Sequence, residues 1–253
     1  MGAAAGRGLR PPPVFEGGED IGLVYHEWSK PGVLDALGSV ASWGERPPQY
    51  KSYPDAESVP LPYPDLAGGV ATEEAIMDRH STRSYSGQPL SLEQLSRLLL
   101  LTAGMRGSDR RSYPSSGALY PIEVYPVVHH VDDLTPGVYH YGVRDHALER
   151  LRDGDFRAAV VRQGLMQDFL GEANVVLFLT VIFQRMRFKY KDRTYRYGLI
   201  EAGHVGQNAY LAATSMGMGA CAVGAFLDDP MNGMLGVDGR TEAAVYMLGL
   251  GAV

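Results

Sequence analysis

Residues 173–183, ANVVLFLTVIF, constrain the fold more than any other stretch of the chain. They are almost all apolar and rich in β-branched side chains. A half-buried strand alternates apolar and polar residues. This run barely alternates, so it suits a strand covered by protein on both faces. Such a strand needs a layer packed against each side, and the neighbouring patterns supply candidates. Residues 194–218 read as a long helix, apolar nearly all round and carrying Gly198, Gly203 and Gly206. That pattern predicts a buried or dimer-interface helix, with the glycines letting another helix approach closely.

Residues 122–131 (IEVYPVVHHV) and 243–252 (AAVYMLGLGA) read as further strands, and 137–151 as a hairpin turning near Arg144, Asp145 and His146. Three more helices are predicted. One starts at Thr72, with acidic residues in its first turn. A second starts at Ser91, with Gln94 placed for a capping box and Leu92, Leu95, Leu98 and Leu99 on one face. The third covers 156–170. Strands and helices do not alternate strictly. The expected architecture is therefore α+β, with a mixed or antiparallel sheet flanked by helices, rather than a doubly wound one.

The front of the chain reads differently. Residues 1–20 are rich in Gly, Ala and Pro and are expected to be disordered. Residues 21–40 hold a short helical pattern broken at Pro31. Residues 44–70 are proline-rich and suit an extended segment wrapped over a surface. The reading is an N-terminal arm over 21–70 and a compact domain over 71–253.

The net charge is −6, and the only dense basic stretch is 185–196. A nucleic-acid binder would carry a basic excess. No apolar run reaches the roughly 18 residues of a membrane span, and the N-terminus lacks a signal-peptide core. A cytoplasmic protein without nucleic-acid or membrane partners is expected. Cys221 is the single cysteine, set among small apolar residues. It reads as a small buried hydrophobe, and no metal site is expected.

Four clusters could carry chemistry. In the first, 79–85 (RHSTRSY), Arg79, Ser81 and Arg83 alternate, so an extended backbone points them the same way. Two guanidiniums and a hydroxyl suit a phosphate and a flat heterocycle; a solvated basic helix end fits equally well. The second, 113–121 (YPSSGALYP), sets small residues between prolines, either to let a planar ligand lie on backbone or as a plain turn. The third, 217–226 (GMGACAVGAF), offers exposed amides, or simply a glycine cap followed by a buried strand. The fourth, 188–197, alternates basic and phenolic groups: an acid–base pair, or a charged loop before a helix.

In order and combination these clusters resemble a known family. RHSTRSY is similar to the FMN signature shared by the nitroreductase superfamily. YHEWSK (25–30), PPQYKSYP (47–54), YPSSGALYPIEVY (113–125), KYKDRTYRYGLIEAGHVGQNAYLAA (189–213) and GMGACAVGAF resemble its SagB-type dehydrogenase, or thiazoline (azoline) oxidase, branch. The resemblance runs from about residue 21 to the C-terminus. It implies a nitroreductase-like homodimer with FMN at the subunit interface. Arg79, Ser81 and Arg83 would hold the phosphate, the ribityl chain and the flavin N1/O2 edge. Pro114, Ser115, Ser116 and Gly117 would come from the second subunit. Ala222, Val223, Gly224 and Ala225 would face the ring. Lys189 and Tyr190 resemble the family's catalytic pair, and a register two residues later would select Lys191 or Tyr195 instead.

The implied activity is oxidation of thiazoline or oxazoline rings to azoles in peptide natural-product biosynthesis, with a cyclodehydratase as partner. Three alternatives stay open: an NAD(P)H-dependent nitro or quinone reductase, a small-molecule desaturase, and a flavin-free scaffold that binds leader peptides. Many nitroreductases contact the FMN phosphate through basic residues near the C-terminus. Here Arg240 is the last basic residue.

Overall fold

A computed structural model describes residues 21–30 and 48–253. The expected disorder of 1–20, the break at Pro31 and the stretch 31–47 lie outside the described residues. The chain divides into two units, Met1–Trp43 and Gly44–Val253. In the first, helix α1 covers Ile21–Trp28, where a short helical pattern was expected.

The second unit is built on a seven-stranded sheet. Its strands are β1 (Glu57–Pro60), β4 (Ile122–Val128), β5 (Gly137–Gly142), β6 (Ala147–Asp153), β7 (Val175–Ile182), β8 (Met218–Val223) and β9 (Glu242–Ala252), in the order β1-β6-β5-β4-β7-β9-β8. A separate ribbon pairs β2 (Met105–Arg106) with β3 (Arg110–Arg111). Every pairing within the large sheet is antiparallel, so it is not mixed. Strands β4, β5 and β6 follow one another through short turns, and each helical excursion returns the chain antiparallel to its new neighbour.

Strand β7 lies between β4 and β9, buried from Val175 to Val181, as its apolar run predicted. The proline-rich segment supplies β1 at the sheet edge, where Pro60 faces Ala147; an edge tolerates the missing N–H.

Helices cover both faces. One core cluster joins α3 (Leu92–Ala103) and α7 (Thr194–Ser215) to the sheet through Leu95, Leu98, Ala202 and Val205. The other joins α4 (Arg157–Gln163), α5 (Phe169–Glu172) and α8 (Asp228–Leu235) through Val160, Leu170, Met231 and Met234. The Ser91 capping box is present: Ser91 Oγ accepts the Gln94 N–H and Gln94 Oε1 accepts the Ser91 N–H.

Helix α2 (Thr72–Asp78) starts at Thr72 with Glu73 and Glu74 in its first turn, as expected. Three local expectations are corrected. The helix expected over 156–170 breaks after Gln163, where Leu165 and Met166 take φ of 57° and 62°; the break lets Phe169 and Leu170 turn into the core. The charged-loop alternative for the stretch from 188 up to the helix expected at 194 is overturned, because that stretch is itself helical. Helix α6 (Gln184–Tyr190) runs into a 3₁₀ turn, Lys191–Arg193, and then α7, which stops at Ser215. Lastly, Gly198 and Gly206 of α7 face the sheet and not another helix, whereas Gly203 is exposed with nothing near its Cβ position. A Cβ on Gly198 would stand 2.9 Å from Val181 Cγ1, and one on Gly206 2.6 Å from Tyr246 Cε1. No helix among the described residues is long and apolar enough to cross a membrane.

Candidate active site

The structure joins the first and third clusters at the β8 edge of the sheet. After α2 the chain runs along this end of the sheet: Thr82 N–H donates to Ala220 O of β8 at 2.8 Å, and Ser86 N–H to Ala252 O at the end of β9 at 2.9 Å. Ser81 Oγ lies 2.9 Å from Tyr210 Oη, which in turn accepts the Ala222 N–H at 2.7 Å. Arg79 sits over the Tyr210 ring at 5.4 Å and Arg83 over the Phe169 ring at 5.9 Å. Among the described residues, the ion pairs include neither Arg79 nor Arg83.

Side chains at the end of β8 are small. Val223 is buried and Ala222 half-buried, whereas Gly224 and Ala225 are exposed, and a Cβ on Gly224 would meet nothing within 4 Å. Two cations without carboxylates, a hydroxyl and an uncluttered stretch of backbone are a donor set that fits a phosphate-bearing flat heterocycle. Cys221 is buried, and burial pushes its thiol up despite the opposing charge of Arg83. It is an inert packing residue.

The second and fourth clusters also meet. The turn 115–118 is held by Ser115 Oγ, which accepts the Tyr120 N–H at 2.8 Å, and by Glu201 Oε1, which accepts the Ser116 N–H at 2.8 Å. Pro114 precedes it, exposed. Gly117 has φ 64°, a conformation that favours glycine. Its side-chain position is taken: a Cβ there would stand 2.8 Å from Tyr190 Oη and 2.9 Å from Lys189 Nζ. Burial raises the Tyr190 phenol, and Tyr197 and Glu201 push it the same way. The alternative residues lie elsewhere: Lys191 is exposed, and Tyr195 stacks on Phe183 at 5.8 Å.

Helix α6, which carries the pair, is tied down by a buried arginine. Arg185 Nη1 donates to the Glu123 carboxylate and to Tyr120 O, and Arg185 Nε donates to Pro48 O. His140 bridges Glu123 and Glu149 at 2.9 and 2.6 Å. Burial would raise Glu123, but the His140 bond and the Arg185 charge win and hold it at about 2. The same bonds raise His140 against its own desolvation. The network is a fully paired set of buried charges, the condition under which burying them is tolerable.

The sequence reading missed Tyr210, Glu201, Arg185, Glu123 and His140. Glu201 carried a signal: a carboxylate inside a helix of small and apolar residues needs a partner. The other partners are separated by long stretches of chain, and no local pattern marks them. Helix α7 carries Glu201 of one cluster and Tyr210 of the other. They are about 13.5 Å apart along its axis and about half a turn around it.

Comparison with known proteins places these features in context. The nitroreductase family profile matches residues 76–252. MJ1384 of Methanocaldococcus jannaschii, classed with the nitroreductases, is 35% identical over 71% of this chain and 90% of its own length. The microcin B17-processing protein McbC of Escherichia coli is 32% identical over 65% of this chain; the match spans 63% of McbC. The E. coli microcin synthetase McbBCD complex, solved with truncated pro-MccB17 bound, superposes with a TM-score of 0.60 at 29% identity, covering 71% of this chain and 72% of the matched one. A crystal structure from Anabaena variabilis, also classed with the nitroreductases, gives a TM-score of 0.69 at 30% identity over 79% of this chain but only 42% of that one.

Proposed function

The chain belongs to the nitroreductase family, and from that premise we propose that it is an FMN-dependent dehydrogenase oxidising azoline rings of a peptide to azoles. The observation that carries this reading is the convergence of Lys189 Nζ and Tyr190 Oη on Gly117, beside Ser115 and Ser116.

Aromatising a thiazoline or oxazoline removes a hydride and a proton. FMN, when bound, supplies the acceptor for the hydride. The proton needs a base beside the ring, and Lys189 and Tyr190 take that role. Arg79, Ser81 and Arg83 hold the phosphate, the ribityl chain and the N1/O2 edge, where a cation favours electron uptake. The backbone at Val223, Gly224 and Ala225 leaves room for a flat ring. Pro114, Ser115, Ser116 and Gly117 of a second copy complete each site. The separation of the two clusters on α7 supports that homodimer. The likeness to McbC and its complex supports a peptide substrate and work beside a cyclodehydratase.

Lys189→Ala and Tyr190→Phe test the mechanism. Both variants should keep FMN and slow azoline-dependent turnover by about 10²- to 10⁴-fold. Wild-type rates in folded, flavin-loaded variants would remove the pair from the mechanism. The likeness to MJ1384 favours a second reading, NAD(P)H-driven reduction of nitro compounds or quinones. Steady-state turnover of a nitroarene with NADPH, set against a thiazoline peptide, separates the two.

A further inference from the structure

Glu201 is a buried carboxylate that the proposed reaction leaves unused. It is 1% exposed. Its Oε1 accepts the Ser116 N–H, while Oε2 is buried with no hydrogen-bond partner among the described residues. Burying a carboxylate this way is costly, so apolar packing alone does not account for it. What it holds is the backbone just before Gly117, and Gly117 is where the tips of Lys189 and Tyr190 come to rest.

We infer that Glu201 is a positioning residue for the Lys189–Tyr190 pair: it fixes the turn 115–118 that forms the seat for both side-chain tips. The chain of contacts is short: carboxylate to Ser116 amide, Ser116 to Gly117, Gly117 to Tyr190 Oη and Lys189 Nζ. Displacing the turn removes that seat without touching the Arg79–Arg83 strip, which lies along β8. The groups facing Glu201 are Tyr190 from α6, Tyr113 and the Ser115 and Ser116 hydroxyls from the loop, and His204 from its own helix. Burial raises Glu201, and the Ser116 amide pulls the other way. The Glu201 carboxylate, when ionised, opposes ionisation of Tyr190.

This inference rests on the proposed reaction, but its test has an arm that does not. The ionisation of Tyr190 can be followed by phenolate absorbance, subtracting the same titration of Tyr190→Phe. In Glu201→Gln, which keeps the acceptor for Ser116 but not the charge, the Tyr190 midpoint should move to lower pH. An unmoved midpoint overturns the inference whatever the reaction proves to be. In the flavin-loaded enzyme, Glu201→Ala should lower kcat for a thiazoline peptide about ten- to a hundred-fold, the usual cost of one charge-assisted bond. KM should be little changed, and Glu201→Gln should recover most of the loss with its pH profile shifted down. Wild-type kcat in Glu201→Ala would also overturn it. If Glu201→Ala does not fold, the isosteric Glu201→Gln decides alone. Absence of azoline turnover in the wild type would instead sink the proposed reaction and leave the titration standing.

Discussion

Arg83 and Arg193 carry the same charge but serve different surroundings. Arg83 is exposed over the Phe169 ring, beside the open end of β8. Arg193 sits half-buried against the Tyr197 ring, in the turn between α6 and α7. If the FMN edge lies by Arg83, Arg83→Ala should weaken FMN binding by about ten- to a hundred-fold, and Arg193→Ala much less. Fluorescence titration with FMN reads the difference; equal affinities would count against Arg83 as a cofactor ligand. At this scale the alternation of Arg79, Ser81 and Arg83 is read from the sequence alone, because it needs only an extended backbone. Tyr210 is not, since its partners, Ser81 and Ala222, come from two other segments. The Lys189–Tyr190 pair was legible only by resemblance, because its seat at Gly117 comes from a distant loop.

Element by element, what the sequence revealed tracks how local each cause is. The Ser91 cap is set within one turn, and the apolar run of β7 by its own composition, so both were legible. The break after Gln163 depends on what must reach the core and has no periodic signature, whereas helix α8 carries one, Met231, Met234 and Leu235, too short to stand out. Gly198 and Gly206 of α7 were seen, but the partner they face was misread. Periodicity shows that a face is small without saying whether a helix or a sheet covers it. Gly206→Ala should destabilise the fold by about 1–3 kcal/mol, because the new methyl meets the Tyr246 ring. Gly203→Ala has open space around its Cβ and gains helix propensity. Thermal unfolding of the two variants should show a clear drop for Gly206→Ala alone. Equal melting temperatures would contradict the close packing of α7 on β9.

For the whole molecule, one chain holds two side-chain clusters at separate places on one helix. Tyr195, Leu199 and Ile200 of α7 and Ile76 and Met77 of α2 stay exposed, a set of large apolar side chains that pairing with a second copy would cover. Light scattering of the flavin-loaded protein should therefore give twice the 27.5 kDa chain mass; a monomer with flavin bound would refute the shared site. The most direct test of the central claim is anaerobic mixing of the FMN-loaded protein with a thiazoline-containing peptide, following the visible flavin absorbance. The account predicts that the absorbance bleaches without NAD(P)H and that one thiazole forms for each flavin bleached. A yellow protein that NADPH bleaches and the peptide does not would contradict it.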